Sequence, residues 1–154
     1  MSRPFKTRLD QLQKKTSQVI TAASFTLSEL HQGDRQLTEL SLAAGQAILL
    51  PFATGKGGTY RLFVLTTITG STTIKPQSAN NPKTGSPDVF YGASLVTGST
   101  PGNFAATANS TITLNGGTTG GLKGSYIELE DVDPGIWRVK GTLLGSGTAA
   151  TPFS

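Results

Sequence analysis

Residues 125–141, SYIELEDVDPGIWRVKG, contain two alternating segments on either side of a turn. In the first segment Ile127 and Leu129 alternate with polar residues, which is the period of a strand with one buried face. The DPG sequence at 133–135 suits a tight turn, because proline sets φ and glycine accepts a positive φ. The sequence therefore predicts a β-hairpin in which two acids face two basic residues across the strands, namely Glu128 and Glu130 against Arg138 and Lys140.

Short segments of similar character recur along the chain, separated by glycine, proline and serine. The strongest is Tyr60–Thr67, which is apolar on both faces and is predicted to be a strand buried on both sides. The stretches 77–87 and 97–109 are predicted to be loops. Further strands are predicted at 35–42, 46–52, 71–76, 89–96 and 111–114. About eight short strands predict an all-β domain of the β-sandwich or jelly-roll type.

The first 24 residues differ from the rest of the chain and are predicted to form an N-terminal arm, with the sandwich at 25–154. Residues 1–20 carry a net charge of +4, which equals the net charge of the whole chain, so the domain sums to zero. The apolar residues of the arm are spaced as on one face of a short helix. About ten residues do not hold a helix alone in water, so the arm either docks on a partner or frays, in helical or extended form.

Composition excludes several kinds of site. The chain has no cysteine, which rules out disulfides, thiolate metal ligands and thiol catalysis. No apolar run follows the basic N-terminus, so neither a signal peptide nor a membrane segment is predicted. A protein made in the cytoplasm of its producing cell is expected, with no cofactor, no bound metal and no small-molecule substrate.

Three motifs that resemble reactive sites have simpler interpretations. His31 is the only histidine and lies in a polar stretch, so a solvated surface side chain is predicted. The acids between Glu128 and Asp133 do not follow the order of an EF-hand loop and are interpreted as a charged hairpin face. The GKGGT sequence at 55–59 lacks the spacing of a phosphate loop and is predicted to be a hairpin loop. The chain is therefore predicted not to be an enzyme.

The blocks Ile48–Pro51, Gly58–Phe63, Thr72–Pro76, Gly124–Asp131 and Trp137–Val139 resemble small structural proteins of tailed bacteriophages, the capsid decoration or cement proteins. The resemblance covers roughly residues 35–154. It implies a homotrimer with a β-sandwich or jelly-roll body on the outer surface of an icosahedral virion, where it stabilises contacts between major capsid subunits. It offers no motif residues that transfer position by position.

The site residues therefore come from the sequence itself. Two sets are predicted. Capsid binding is assigned to the arm, through Arg3, Phe5, Lys6, Arg8, Leu9, Leu12, Lys14 and Lys15. The oligomer contact is assigned to Tyr60, Leu62, Phe63 and Leu65. The major capsid protein and two further copies are the expected partners, without nucleic acid. Two other functions stay open: a phage tail, fibre or other glycan-binding β module, and a nucleic-acid binder that uses the basic arm.

Overall fold

The structure, a computed structural model, describes residues 16–28, 31–33 and 36–154. Within these residues eleven strands form two sheets. The seven-stranded sheet has the order β1 (Thr16–Ile20), β3 (Gln36–Leu40), β5 (Thr59–Val64), β10 (Tyr126–Asp133), β11 (Ile136–Leu143), β7 (Val89–Val96) and β8 (Gly102–Asn109). The four-stranded sheet has the order β2 (Ser24–Thr26), β4 (Ala47–Leu49), β6 (Thr72–Lys75) and β9 (Ile112–Leu114). The prediction of an all-β, sandwich-like domain is confirmed.

One hydrophobic core lies between the two sheets. Its largest members come from the seven-stranded sheet, where Tyr60, Phe90 and Trp137 are all 0% exposed. The rings of Tyr60 and Trp137 are 5.7 Å apart between centroids. Ile48 and Ile74 of the smaller sheet join the same cluster. The inward side chains of both sheets thus share a single core, as the alternation in the sequence requires.

The first six strands alternate between the sheets. Strands β1, β3 and β5 pair in parallel in one sheet, and β2, β4 and β6 pair in parallel in the other. This part of the chain therefore winds as stacked coils. The corners of successive coils touch closely: Thr69 N–H donates to Ala43 O at 2.7 Å, and a Cβ on Gly45 would lie 2.0 Å from Ser71 O.

The structure does not have the topology of a jelly roll. A jelly roll is built from antiparallel strands. Of the nine strand pairs among the described residues, five are parallel, including β11 with β7. Antiparallel pairing is found in four pairs, among them the β10–β11 hairpin. That hairpin has the predicted register, with Glu128 opposite Lys140 and Glu130 opposite Arg138.

Three strands lie outside the segments predicted to be strands. Strand β1 belongs to the predicted arm, yet it pairs with β3, so residues 16–20 are part of the sheet. Strand β2 spans the predicted boundary at residue 24. The prediction of a loop at 97–109 is wrong, because Gly102–Asn109 form strand β8. The small residues of this strand give a weak local signal, and pairing with β7 supplies its hydrogen bonds. In the described part of the chain no helix has the length and hydropathy needed to cross a bilayer.

Candidate interaction surface

A ladder of ion pairs crosses the outer face of the seven-stranded sheet. Glu128 on β10 accepts from Arg61 Nε on β5 at 3.0 Å and lies 2.8 Å from Lys140 Nζ on β11. Glu130 pairs with Arg138 one step along the same hairpin. Both acids are therefore neutralised within the sheet. Since partly exposed pairs contribute at most about 1 kcal/mol each, the ladder fixes the register and charge of this face more than its stability.

Glu128 is the most enclosed member of the ladder, with a side chain only 12% exposed. Burial raises the pKa of Glu128, but the hydrogen bonds and charges of Lys140 and Arg61 outweigh it, so the pKa lies below its ordinary value. Tyr126 O–H donates to Glu128 Oε2 at 3.3 Å. Burial and the negative charge of Glu128 raise the pKa of Tyr126. The hydroxyl therefore stays protonated and acts as a hydrogen-bond donor.

On the β7–β8 side of the ladder, the described residues of the outer face carry no charge. We call this surface the β7–β8 strip; all its members are exposed. Tyr91 is 44% and Leu95 39% exposed. The strip adjoins the ladder, because Tyr91 lies opposite Arg138 and Ala93 opposite Lys140. Its members are Tyr91, Ala93, Leu95, Asn103, Ala105 and Thr107.

The sequence contains a signal for this strip that motif patterns do not reveal. Residues 89–122 include no Asp, Glu, Lys, Arg or His. An exposed edge strand is usually protected by charge or proline. The centres of protein interfaces, by contrast, are depleted in charge and enriched in aromatic residues. A long uncharged segment that includes an edge strand therefore points to a contact surface.

The four residues of the predicted oligomer contact lie in two different environments. Tyr60 and Leu62 are 0% and 2% exposed and face the core between the sheets, so the assignment of these two residues to a subunit contact is corrected. Phe63 lies on the outer face opposite Tyr126 and is half-buried. Leu65 follows the strand and is also half-buried. The prediction that both faces of this strand are fully covered is replaced by one buried and one half-buried face.

All the capsid-binding residues predicted in the arm lie outside the described residues. These are Arg3, Phe5, Lys6, Arg8, Leu9, Leu12, Lys14 and Lys15. Their role stays a prediction from the sequence.

The glycine-rich loop after Pro51 binds the carboxylate of Asp131. The Asp131 carboxylate accepts the N–H groups of Thr54 at 2.9 Å and Gly55 at 2.6 Å, and the Thr54 hydroxyl at 2.7 Å. Lys56 N–H adds a longer bond of 3.4 Å. The backbone donors that would cradle a phosphate are thus already used by a side chain that is 4% exposed. The loop connects strands of different sheets, which corrects the prediction of a hairpin loop.

The prediction that Asp131 belongs to an exposed acidic face is also wrong, because its side chain points inward. A second buried carboxylate fixes the same loop: Asp88 accepts Ala53 N–H at 2.6 Å and the Asn81 amide at 2.8 Å. Both carboxylates hold the backbone. Across residues 16–28, 31–33 and 36–154, no three His, Asp or Glu side chains are grouped as metal ligands would be.

His31 is buried rather than solvated, at 7% exposure, which corrects the prediction. Its Nδ1 accepts Ser28 N–H at 3.0 Å. Phe25 packs edge-on against the ring, 5.0 Å away between centroids. The histidine therefore holds a turn at the end of the sandwich.

Comparison of the chain with protein-family models, with curated proteins and with solved structures finds no match. The surface is therefore interpreted from its own chemistry.

Proposed function

We propose that this chain is a non-enzymatic structural protein that binds the outside of an icosahedral phage capsid as a homotrimer and stabilises contacts between major capsid subunits. The observation that carries the proposal is the β7–β8 strip. It is exposed, uncharged and built on two long strands of a seven-stranded sheet. Side chains held on paired strands have little backbone freedom left to lose, which lowers the entropy cost of docking.

Two large side chains of the strip are suited to act as anchors. Tyr91 and Leu95 are exposed, while the neighbouring Ala93 and Ala105 are small enough to let a partner approach closely. Aromatic residues are enriched among those that dominate interface energies. The ladder beside them offers charges that are already paired, so docking there does not strand an unpaired charge.

The arm supplies a separate contribution. Its net charge of +4 would attract an acidic shell surface and increase the rate of association. Many equivalent copies on one shell would add avidity to a weak single contact.

The experiment uses capsids assembled from the major capsid protein of the phage in which this chain is found. Co-sedimentation measures the affinity of the full chain, of the double variant Tyr91→Ser, Leu95→Ser, and of Val132→Ser. Val132 is the matched control, because it is 41% exposed but lies on the hairpin outside the strip. We expect at least a tenfold loss of affinity for the double variant and no change for the control. Equal binding by all three proteins would remove the strip from the proposal.

Two further measurements test the other parts. Light scattering of the purified protein is expected to give three times 16.0 kDa, and a monomer would contradict the trimer. A deletion that ends at residue 15 leaves β1 intact and is expected to weaken capsid binding and its dependence on salt. Unchanged binding by this deletion would contradict the role of the arm.

A further inference from the structure

The edge strands β9 and β8 differ in whether other described residues cover them. On the smaller sheet the C-terminal residues cover β9: Thr113 N–H donates to Pro152 O at 2.8 Å, and Ser154 N–H donates to Thr111 O at 3.0 Å. Strand β8 ends the larger sheet and has no strand on its other side within the described residues. An uncovered edge is a template for another strand.

The hydrogen bonds of β7 show which groups of β8 point outward. Val89 N–H donates to Gly135 O at 2.9 Å and Thr97 N–H donates to Leu143 O at 2.8 Å, so the odd-numbered residues of β7 bond toward β11. Its even-numbered residues therefore bond toward β8. They lie opposite Gly102, Phe104 and Ala106. Consequently the N–H and C=O groups of Asn103 and Ala105 point away from the sheet.

The open part of this edge is short and has defined ends. Pro101 has no N–H to donate. At the other end the Asn109 side chain accepts Thr107 N–H at 2.8 Å. Between these ends, the N–H groups of Asn103 and Ala105 have no acceptor within the described part of the chain.

From this geometry we propose that two copies of the chain pair antiparallel through β8, about a two-fold axis at Phe104. Asn103 of each copy then lies opposite Ala105 of the other and exchanges two hydrogen bonds with it. The four bonds use every open donor and stop where Pro101 and the Asn109 cap end the ladder. Of the registers centred on Asn103, Phe104 or Ala105, only this one places every open donor in a residue pair that exchanges two hydrogen bonds.

The side chains fit the same arrangement. Phe104 is half-buried beside Ala149, and in this register it meets its own copy across a non-hydrogen-bonded pair. Cross-strand aromatic pairs are favourable. No charge repulsion opposes the contact, because residues 89–122 are uncharged. A two-fold contact relates copies in pairs, so it is additional to any three-fold contact and does not depend on capsid binding.

The first test compares Ala105→Pro with Thr107→Pro by sedimentation velocity over a wide range of protein concentration. Proline is tolerated on an edge where the N–H points away from the sheet. As the concentration rises, we expect the wild type and Thr107→Pro to form a species of twice the mass that each has at low concentration. Ala105→Pro removes two of the four hydrogen bonds and is expected to raise the dissociation constant at least tenfold. Equal association by all three proteins, or none by the wild type, overturns the pairing.

The second test does not depend on the folding of Ala105→Pro. It measures disulfide cross-linking through a single introduced cysteine, since the chain has no cysteine of its own. Phe104→Cys places two thiols opposite each other at the axis, at a Cα separation of roughly 4.5 Å, which suits a disulfide. Oxidised glutathione accepts the two electrons and releases two reduced thiols. We expect dimer cross-linking at least ten times faster than for Thr107→Cys, which the register places away from its own copy. Equal rates overturn the proposal, and capsid binding by the same variants tests the proposed function separately.

Discussion

The Asp131 carboxylate accepts both the N–H of Thr54, at 2.9 Å, and its hydroxyl, at 2.7 Å. The two residues are 77 positions apart, and the contact holds the loop before β5 against the end of β10. The buried carboxylate is stabilised because the backbone donors take the place of water. This contact links the coiled first half of the chain to the hairpin of the second half.

Replacing Asp131 with asparagine is expected to lower the free energy of unfolding by about 2–3 kcal/mol, because the amide brings donors to a site that needs acceptors. Urea denaturation measures the change. Asp133→Asn is the matched control, since Asp133 is exposed on the same strand, and it is expected to change stability by less than about 0.5 kcal/mol. Similar losses in both variants would show that the loop contacts are not what stabilises Asp131.

The stability of the protein is expected to depend on the ionisation of Glu128. Its pKa is lower in the folded state than the ordinary 4.5, so its contribution is complete above that value and is lost as the pH falls through the lowered pKa. Glu128→Gln should therefore lose less stability than the wild type on acidification below about pH 4.5. Denaturant titrations of both proteins at several pH values provide the comparison. Parallel losses would contradict a lowered pKa at this site.

Ala108 has a φ of 68°, the only positive value at a non-glycine residue among those described. It lies where the β7–β8 register shifts. Glycine adopts this conformation without steric cost, so Ala108→Gly is expected to raise the free energy of unfolding by about 0.5–1 kcal/mol. Ala105→Gly, on the regular part of the same strand, is expected to lower it by about 0.5–1 kcal/mol. Thermal unfolding of the two variants should therefore shift in opposite directions.

Gly45 allows two corners of the coiled half to touch. It has a φ of +100°, and a Cβ there would lie 2.0 Å from Ser71 O. Gly45→Ala is expected to cost about 3 kcal/mol or more, from backbone strain and steric overlap together. The matched control is Gly57→Ala, whose φ is +77° with no atom within 4 Å of the added carbon, and its expected cost is about 1–2 kcal/mol. Equal losses in denaturation experiments would argue against close packing at the corner.

Features that depend on neighbouring residues were predictable. The hairpin of residues 125–141 has the register and turn that its alternation and its DPG sequence indicate. Trp137 is buried, as its alternation with Val139 suggests. In each case the side-chain period and the turn chemistry act within a few residues, so the local sequence contains the information.

Features that depend on distant partners were not predictable from the pattern alone. Both faces of Tyr60–Thr67 are apolar, and only the position of the second sheet places Leu62 inside and Phe63 outside. Strand β8 is too weakly patterned to be recognised without β7. Asp131 resembles its acidic neighbours until the loop at Thr54 is brought against it.

The sequence by itself determined an all-β chain, the β10–β11 hairpin and the segregation of positive charge into the first 20 residues, because composition and alternation are local properties. The tertiary structure alone decided the parallel coils, the buried carboxylates and the open edge at β8. Those features arise when segments far apart in the chain pair or pack, and the hydrogen bonds and burial that result belong to no single segment.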